Sequence, residues 1–418
     1  MARPRQACIE LTLEFITPAF LGGAEPRRVD RHMPLRPSAV RGALRSWFRT
    51  AAAAVMPVVH GDIHAQRRML DSLYQAESRI FGDTSQRSAV SILPPVGLHD
   101  RHIKRFGSEL PDARQRPGLR YLGYGAFGSK EGVHFVEPSA RFDLRLRMPQ
   151  PFDGLVELLS ATVWLWLHLG GLGARVRRGF GSLRLHRAEG LACAHELQRT
   201  ASSPDGLDAH LRKGVAWAMD VFRAHLPKLV PASVLGPSGD THPNLRTLAD
   251  LGKFAVLPPR DTAEDALELA GRLFRDFRST LRRRDLGLPP LPDYFAVKDA
   301  VARRQTPRMA ARAAFGLPLR YYFRSLHGQS TWILPRKRGE RLERLASPLH
   351  FRVHPLDDGK TYAAVLFHMA DNKAPMVGLE LGQKVGSGRI PDPSVEIIDQ
   401  FIEWALAQAG RLPTGTKA

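Results

Sequence analysis

The sequence predicts an α+β protein of two ferredoxin-like, RRM-like domains carrying insertions. Three observations predict it. Residues 9–15 and 134–148 alternate apolar and polar side chains, the period of strands with one buried face. Helical apolar spacing over 37–55 and 155–169 and a closing strand at 182–186 complete a β-α-β-β-α-β order in the first half. The 418 residues exceed one ordinary domain of roughly 100–150, and beyond the Pro-, Gly- and Ser-rich stretch 231–244 strands and helices mix again. The expected division is an N-terminal domain over 1–190, a helical connection and linker over 191–247, and a C-terminal domain over 248–418.

In the first strand, Ile9, Leu11, Leu13 and Phe15 oppose Glu10, Thr12 and Glu14. The loop after it holds Gly22, Gly23, Pro26 and Pro34, which break regular structure, and the arginines Arg27, Arg28 and Arg31. The helix that follows has Val40, Leu44, Trp47 and Phe48 on its buried side, with Ser38 as the expected N-cap and Arg36 just ahead of it. Arg41, Arg45 and Arg49 recur every fourth residue, so they are expected to form one exposed stripe. No acid stands three or four residues from any of them.

Residues 56–132 show no clear period. Their pairs His60 with His64 and His99 with His102 have metal-ligand spacing but no third ligand or cysteine nearby, so no metal is assigned. Tyr121, Tyr124 and Phe127 follow a basic run, in a place suited to base stacking or to the core of a hairpin. In the strand at 134–148, Phe142, Leu144 and Leu146 oppose Arg141, Asp143, Arg145 and Arg147. The apolar run from Leu155 carries Glu157, Ser160, Thr162 and His168, which reads as a core helix and not a membrane span.

After the linker, a strand is expected at 254–258, helices at 263–284 and 296–314, strands in FGLPLRYYF, SPLHFRVHPL and YAAVLFHMA, and a last helix at 394–409. Arg282, Arg283 and Arg284 are expected to be the solvated end of the first of these helices.

The stretch richest in chemistry is 170–185, GGLGARVRRGFGSLRL. Glycines let a backbone approach a ligand closely, and arginines between them offer planar donor forks to phosphate. Arg175, Arg177 and Arg178 stand here with Gly179, Phe180 and Gly181, and no acid is near to neutralise them. Arg178-Gly179-Phe180-Gly181 matches half of an RRM signature, yet Ser182-Leu183-Arg184-Leu185 lacks the stacking aromatics, so no RRM is assigned.

Composition agrees with an anionic partner. The 61 Lys and Arg against 41 Asp and Glu give a net charge of +20, spread along the chain, a balance best tolerated beside a polyanion such as nucleic acid. The N-terminus has no apolar signal segment and two cysteines make no disulfide framework, so a cytoplasmic protein is expected.

Four stretches, ITPAFLGGAEPR at 16–27, LRPSAVRGALRSWFR at 35–49, GLGARVRRGFGSL at 171–183, and FGLPLRYYF with SPLHFRV nearer the C-terminus, together resemble the RAMP superfamily of CRISPR proteins. Within it they are most similar to the first-subunit family of Cmr, type III-B, effector complexes. The resemblance implies two ferredoxin-like domains, a glycine-rich loop after the second helix, and binding of crRNA and target RNA beside other Cmr subunits. It further implies a place at one end of the filament, near the 3′ part of the guide and the 5′ part of the target. It implies neither a cofactor nor catalysis, which belongs to other subunits. The residues expected to meet RNA are Arg27, Arg28, Arg36, Ser38, Arg41, Arg45, Arg49, Arg175, Arg177, Arg178, Gly179, Phe180 and Gly181. The alternative is a RAMP-type endoribonuclease that processes repeat RNA, with His32, His168 and His186 as candidates. A DNA-binding regulator would fit the charge but lacks a helix-turn-helix signature.

Overall fold

The computed structural model describes residues 6–23, 25, 27–56, 63–105, 115–124, 132–198, 201–230, 248, 251, 254–279, 287, 289, 291–337, 340–341, 346–356, 360–369, 379–381, 390 and 394–411. In chain order the elements of the first half are β1 (Ala7–Phe15), α1 (Pro37–Val55), α2 (Ile63–Phe81), β2 (Ser91–Ile92), β3 (Ile103–Arg105), α3 (Pro117–Leu122), β4 (His134–Val136), β5 (Arg141–Met148), α4 (Leu155–Leu169), β6 (Leu183–Glu189) and α5 (Pro204–His225). β1 lies between β5 and β6, both antiparallel to it, and β2 pairs with β5. The order β6-β1-β5-β2 is the 4-1-3-2 arrangement of a ferredoxin-like sheet.

Register follows from the side-chain alternation. Ile9, Leu11 and Leu13 stand opposite Leu146, Leu144 and Phe142, so one face is wholly apolar and buried. The rings of Phe15 and Phe142 lie 5.1 Å apart within it. α1 and α4 cover that face. α4 is buried nearly all round, because α1, α5 and β6 pack against it as well as the sheet.

The second half contains β7 (Ala255–Val256), α6 (Ala263–Arg278), α7 (Pro292–Arg303), β8 (Leu319–Phe323), β9 (Gln329–Lys337), β10 (Glu340–Arg341), β11 (Leu349–Pro355), β12 (Tyr362–His368), β13 (Leu379–Leu381) and α8 (Glu396–Ala409). The sheet order β11-β12-β7 places strands two, three and one of this half as in the first sheet, with α6 and α8 packed beside them. β8, β9, β10 and β13 form a separate antiparallel sheet over a small core around Tyr321, Phe323 and Ile333.

Some expectations change. The stretch 56–132 holds a nineteen-residue helix, α2, whose Met69, Leu73, Ala76 and Ile80 are buried at helical spacing. The strand expected over 134–148 is two, β4 and β5, separated by a turn in which Ser139 has φ 69°. Tyr121 belongs to α3 and meets the edge of Phe274, while Tyr124 is exposed. The linker 231–244, Phe127 and the triplet at 282–284 lie outside the described residues.

The two halves meet along the glycine-rich stretch. Phe351 N–H donates to the Arg177 carbonyl (3.1 Å) and Val353 N–H to Ser182 Oγ (3.3 Å). Arg352, buried and on β11, donates to the carbonyls of Leu167 (2.6 Å) and Leu183 (2.8 Å). Among the described residues, no helix is long and apolar enough to cross a membrane.

Candidate nucleic-acid interface

α4 ends at Leu169, and the chain turns through Gly170–Gly181 into β6. Gly181 has φ +66°, and a Cβ there would stand 1.9 Å from the Leu172 carbonyl oxygen, so the loop closes on itself only with glycine. Gly179, at φ +83°, is pressed against Leu267 of α6, 2.5 Å from where its Cβ would be. Both glycines shape the loop and are buried.

The loop and α1 enclose an open groove of about 690 Å³. One wall is the α1 face bearing Ala39, Ala43, Ser46, Trp47 and Thr50, and the other is Gly170–Gly173 with Val176 and Arg177. His350 and Met369 of the second half close one side, and Arg49 stands at another. Among the described residues that line it there is no acid. Helix and glycine loop therefore converge on one site, but through a small-residue face of α1, to which the arginine stripe contributes only Arg49 among the described residues.

The arginines divide accordingly. Arg177 Nη1 donates to the Ser347 carbonyl (3.0 Å), and burial draws its ionisation below the usual guanidinium range. Arg49 keeps about half its side chain exposed (49%) while its Nε stands 3.3 Å from Glu77. Arg45 reaches the other Glu77 oxygen at 3.0 Å, and Glu77 itself is only 3% exposed. Burial pushes the Glu77 carboxyl up, against the opposing pull of Arg49 and Arg45. Two guanidinium groups, Arg45 and Arg49, thus share one buried carboxylate.

Arg41 and Arg45 correct the expectation of an exposed stripe. Arg41 Nη1 donates to the Phe81 carbonyl (3.2 Å) and Arg45 Nη2 to that of Gly82, at the C-terminal end of α2. A helix end leaves carbonyls unsatisfied and carries partial negative charge, so these arginines cap α2. Their counter-groups lie 32 to 40 residues further along the chain, beyond the reach of an i±4 rule. Ser38 is also not the N-cap. Arg36 takes that position with an extended backbone, Pro37 opens the helix, and Ser38 lies exposed in a first turn that has neither acid nor side-chain cap. Arg36 instead donates from Nη2 to the Gly22 carbonyl (2.7 Å).

Phe180 is a core residue, and Arg178 is turned against the second half. Arg178 is half-buried, stacked over Phe274 (4.7 Å) and near Phe351 (5.7 Å), and donates to the Phe315 carbonyl (3.3 Å). Burial first, then Arg278, brings its pKa down to about 9. Phe180 has no exposed surface and packs on Phe20 with ring centroids 5.0 Å apart. Arg175 stays on the loop's outer side, donating to the Tyr124 carbonyl (2.7 Å). Arg27 is exposed, and Arg28 forms an exposed pair with Glu25 at 2.9 Å.

The candidate catalytic histidines are dispersed, and none lines the groove. His32 is exposed, on a turn where its N–H donates to Asp30 (2.9 Å). His186 bonds Glu14 at 2.8 Å on the outer face of the sheet, and Arg141 bonds the same oxygen. His168 is buried, stacked on Trp164 (4.3 Å) with His210 and His354 at 5.2 and 6.1 Å. Desolvation holds His168 and His354 well below the usual histidine range. Of the other pairs, His102 Nδ1 accepts from the His99 N–H (3.1 Å), and no cluster among the described residues is arranged to hold a metal ion. Sequence reading missed His350 and Met369, which long-range pairing brings to the groove, and Ser347, whose carbonyl accepts from Arg177. It also missed Glu77, although the spacing Met69, Leu73, Ala76, Ile80 announces the helix that carries it.

Residues 12–184 match the model of the RAMP superfamily. Two Cmr subunits of Pyrococcus furiosus are relatives: Cmr1-1, 26% identical over 60% of this chain and 66% of its own length, just under two thirds, and Cmr1-2, 26% identical over 41% of this chain and 92% of its own. The crystal structure of apo Cmr1 from Pyrococcus furiosus covers 96% of this chain and 97% of its own at 22% identity, with a TM-score of 0.53. A chain of the type III-B Cmr-beta complex bound to cognate target RNA and AMPPnP covers 97% of this chain and 100% of its own at 13% identity, with a TM-score of 0.58. At those identities the structural likeness speaks for the fold. The chain is thus similar to the Pyrococcus Cmr1 subunits, and its residues 12–184 match the RAMP superfamily.

Proposed function

We propose that this chain is a non-catalytic RNA-binding subunit of a type III-B, Cmr-type ribonucleoprotein complex in the cytoplasm. It would hold crRNA and target RNA beside other Cmr subunits, capping the filament near the 3′ part of the guide and the 5′ part of the target. The single observation that carries this reading is the acid-free groove between α1 and the glycine loop, flanked by Arg49 and Arg177 and closed by His350. Its uncapped helix start and guanidinium groups favour phosphate, and its glycine floor allows a sugar-phosphate chain to approach closely. We further propose that the groove lies between an N-terminal domain, 1–190, and a C-terminal domain, 248–418, joined by 191–247.

The endoribonuclease reading needs a general acid and base beside the bound strand. His32, His168 and His186 stand apart from the groove, which favours binding without turnover. The test is titration of the purified chain with single-stranded repeat and target RNA, with and without divalent metal. We expect binding whose log affinity falls with log salt at about −0.7 per phosphate neutralised, and no cleavage. Arg49→Ala with Arg177→Ala is expected to weaken binding about tenfold, or about 1.4 kcal/mol. A flat salt response, or cleavage abolished by one His→Ala change, would refute the proposal.

A further inference from the structure

A second hollow, of about 420 Å³, lies on the other side of the glycine loop. Phe20, Arg27, His134, Gly173 and Arg175 line it, and Gly173 also lines the α1 groove, so the two hollows meet at a residue without a side chain. The hollow is built from backbone pairing. Ala174 N–H donates to the Phe20 carbonyl (2.8 Å), and His134 N–H to that of Arg27 (3.0 Å), which fixes the backbone beside each of the two arginines.

Both arginines hold an unusual backbone. Among the described residues only five non-glycine residues have positive φ, and two of them are Arg27 (64°) and Arg175 (62°). The left-handed region is unfavourable for residues with a Cβ, and such strain concentrates at binding sites. Here it aims two guanidinium-bearing side chains from separate loops at one concavity. No acid is among the described lining residues, and the nearby acids Glu25 and Asp100 are already paired with Arg28 and Arg31. Gly173 has φ +97°, and a Cβ there would stand 2.6 Å from the Phe20 carbonyl oxygen, so the crossing point stays bare.

We propose that this hollow is a second nucleic-acid subsite, which takes a phosphodiester of the same single strand that occupies the α1 groove, the strand crossing the loop at Gly173. The inference rests on the RNA-binding reading above and adds a path to it. A short strand fills the α1 groove alone; a longer one reaches the Arg27 and Arg175 rim.

The experiment uses the full chain and oligouridylates of graded length, about 4 to 16 nucleotides, the span of common single-strand sites. The variant is Arg27→Gly with Arg175→Gly, because glycine keeps the left-handed backbone and removes only the charge-bearing side chain. For the longest strand we expect about a tenfold loss, a salt slope shallower by about 0.7 for each phosphate contact removed, and unchanged affinity for the shortest strand that still binds. Arg27→Lys with Arg175→Lys should restore most of the long-strand affinity. Unchanged affinity at every length, or equal loss at every length, overturns the subsite while leaving RNA binding intact. If the unaltered chain binds no oligouridylate of any length, the RNA-binding reading fails and the subsite falls with it.

Discussion

Arg178 and Arg177 are neighbours in sequence with opposite surroundings. Arg177 opens onto the groove, whereas Arg178 lies over Phe274 and braces the two halves. Arg178→Ala would remove a desolvated cation–π contact worth roughly 2 kcal/mol and leave the Phe315 carbonyl without its donor, at about 1–3 kcal/mol. We therefore expect Arg178→Ala to lower unfolding free energy by about 3 kcal/mol in denaturant titrations, while the folded protein keeps its RNA affinity within about twofold. The same logic separates the stripe on α1. Arg41→Ala and Arg45→Ala should cost stability through α2, because they strip donors from its terminal carbonyls and leave Glu77 with one cation. Arg49→Ala should affect RNA more than folding.

At the scale of elements, α1 shows what its sequence specifies and what it leaves open. Its period fixes the buried side, Val40, Leu44, Trp47 and Phe48, but does not say which partner covers the remaining faces. α2 takes the arginine face and the groove takes the face of Ala39, Ala43 and Ser46. Glycines on the helix and on the loop accordingly differ in meaning. Gly42 has nothing within 4 Å of a would-be Cβ, so Gly42→Ala should stabilise α1 by about 0.5–1 kcal/mol. Gly181→Ala meets the Leu172 carbonyl at 1.9 Å in a left-handed backbone and should cost more than about 3 kcal/mol. Shifts of opposite sign in the denaturation midpoint check both, and a harmless Gly181→Ala would mean that the loop relaxes easily. The helices α1 and α4 and the strands β1 and β5 were legible because their periods are long and clean; β2, two residues within the stretch that showed no period, was not. α2 was missed because its polar surface, rich in arginine and glutamine, hides a short apolar stripe.

For the whole molecule, the joint between halves is a cluster of one buried cation, Arg352, with the buried His168 and His354 and the half-buried His210. Burial lowers each histidine's folded pKa below its unfolded value near 6.5, so the unfolded chain binds more protons at acid pH. Their contribution is complete above about pH 6.5 and is lost as pH falls below that value toward the lower folded pKa values. Each fully buried histidine should remove about 1.4 kcal/mol of stability per pH unit within that window. Urea midpoints between pH 7.5 and 5 test this, and His168→Leu should make the slope shallower. A pH-independent midpoint would mean that the cluster opens to water. The sequence by itself determined the α+β class, the faces of β1 and β5 and the helices α1 and α4, because those follow from local periods and from where glycine breaks them. Only the tertiary structure decided which arginines stay available, since Arg41, Arg45 and Arg178 are claimed by carbonyls and rings 37 to 173 residues away, and whether a charge faces solvent or core depends on what folds against it.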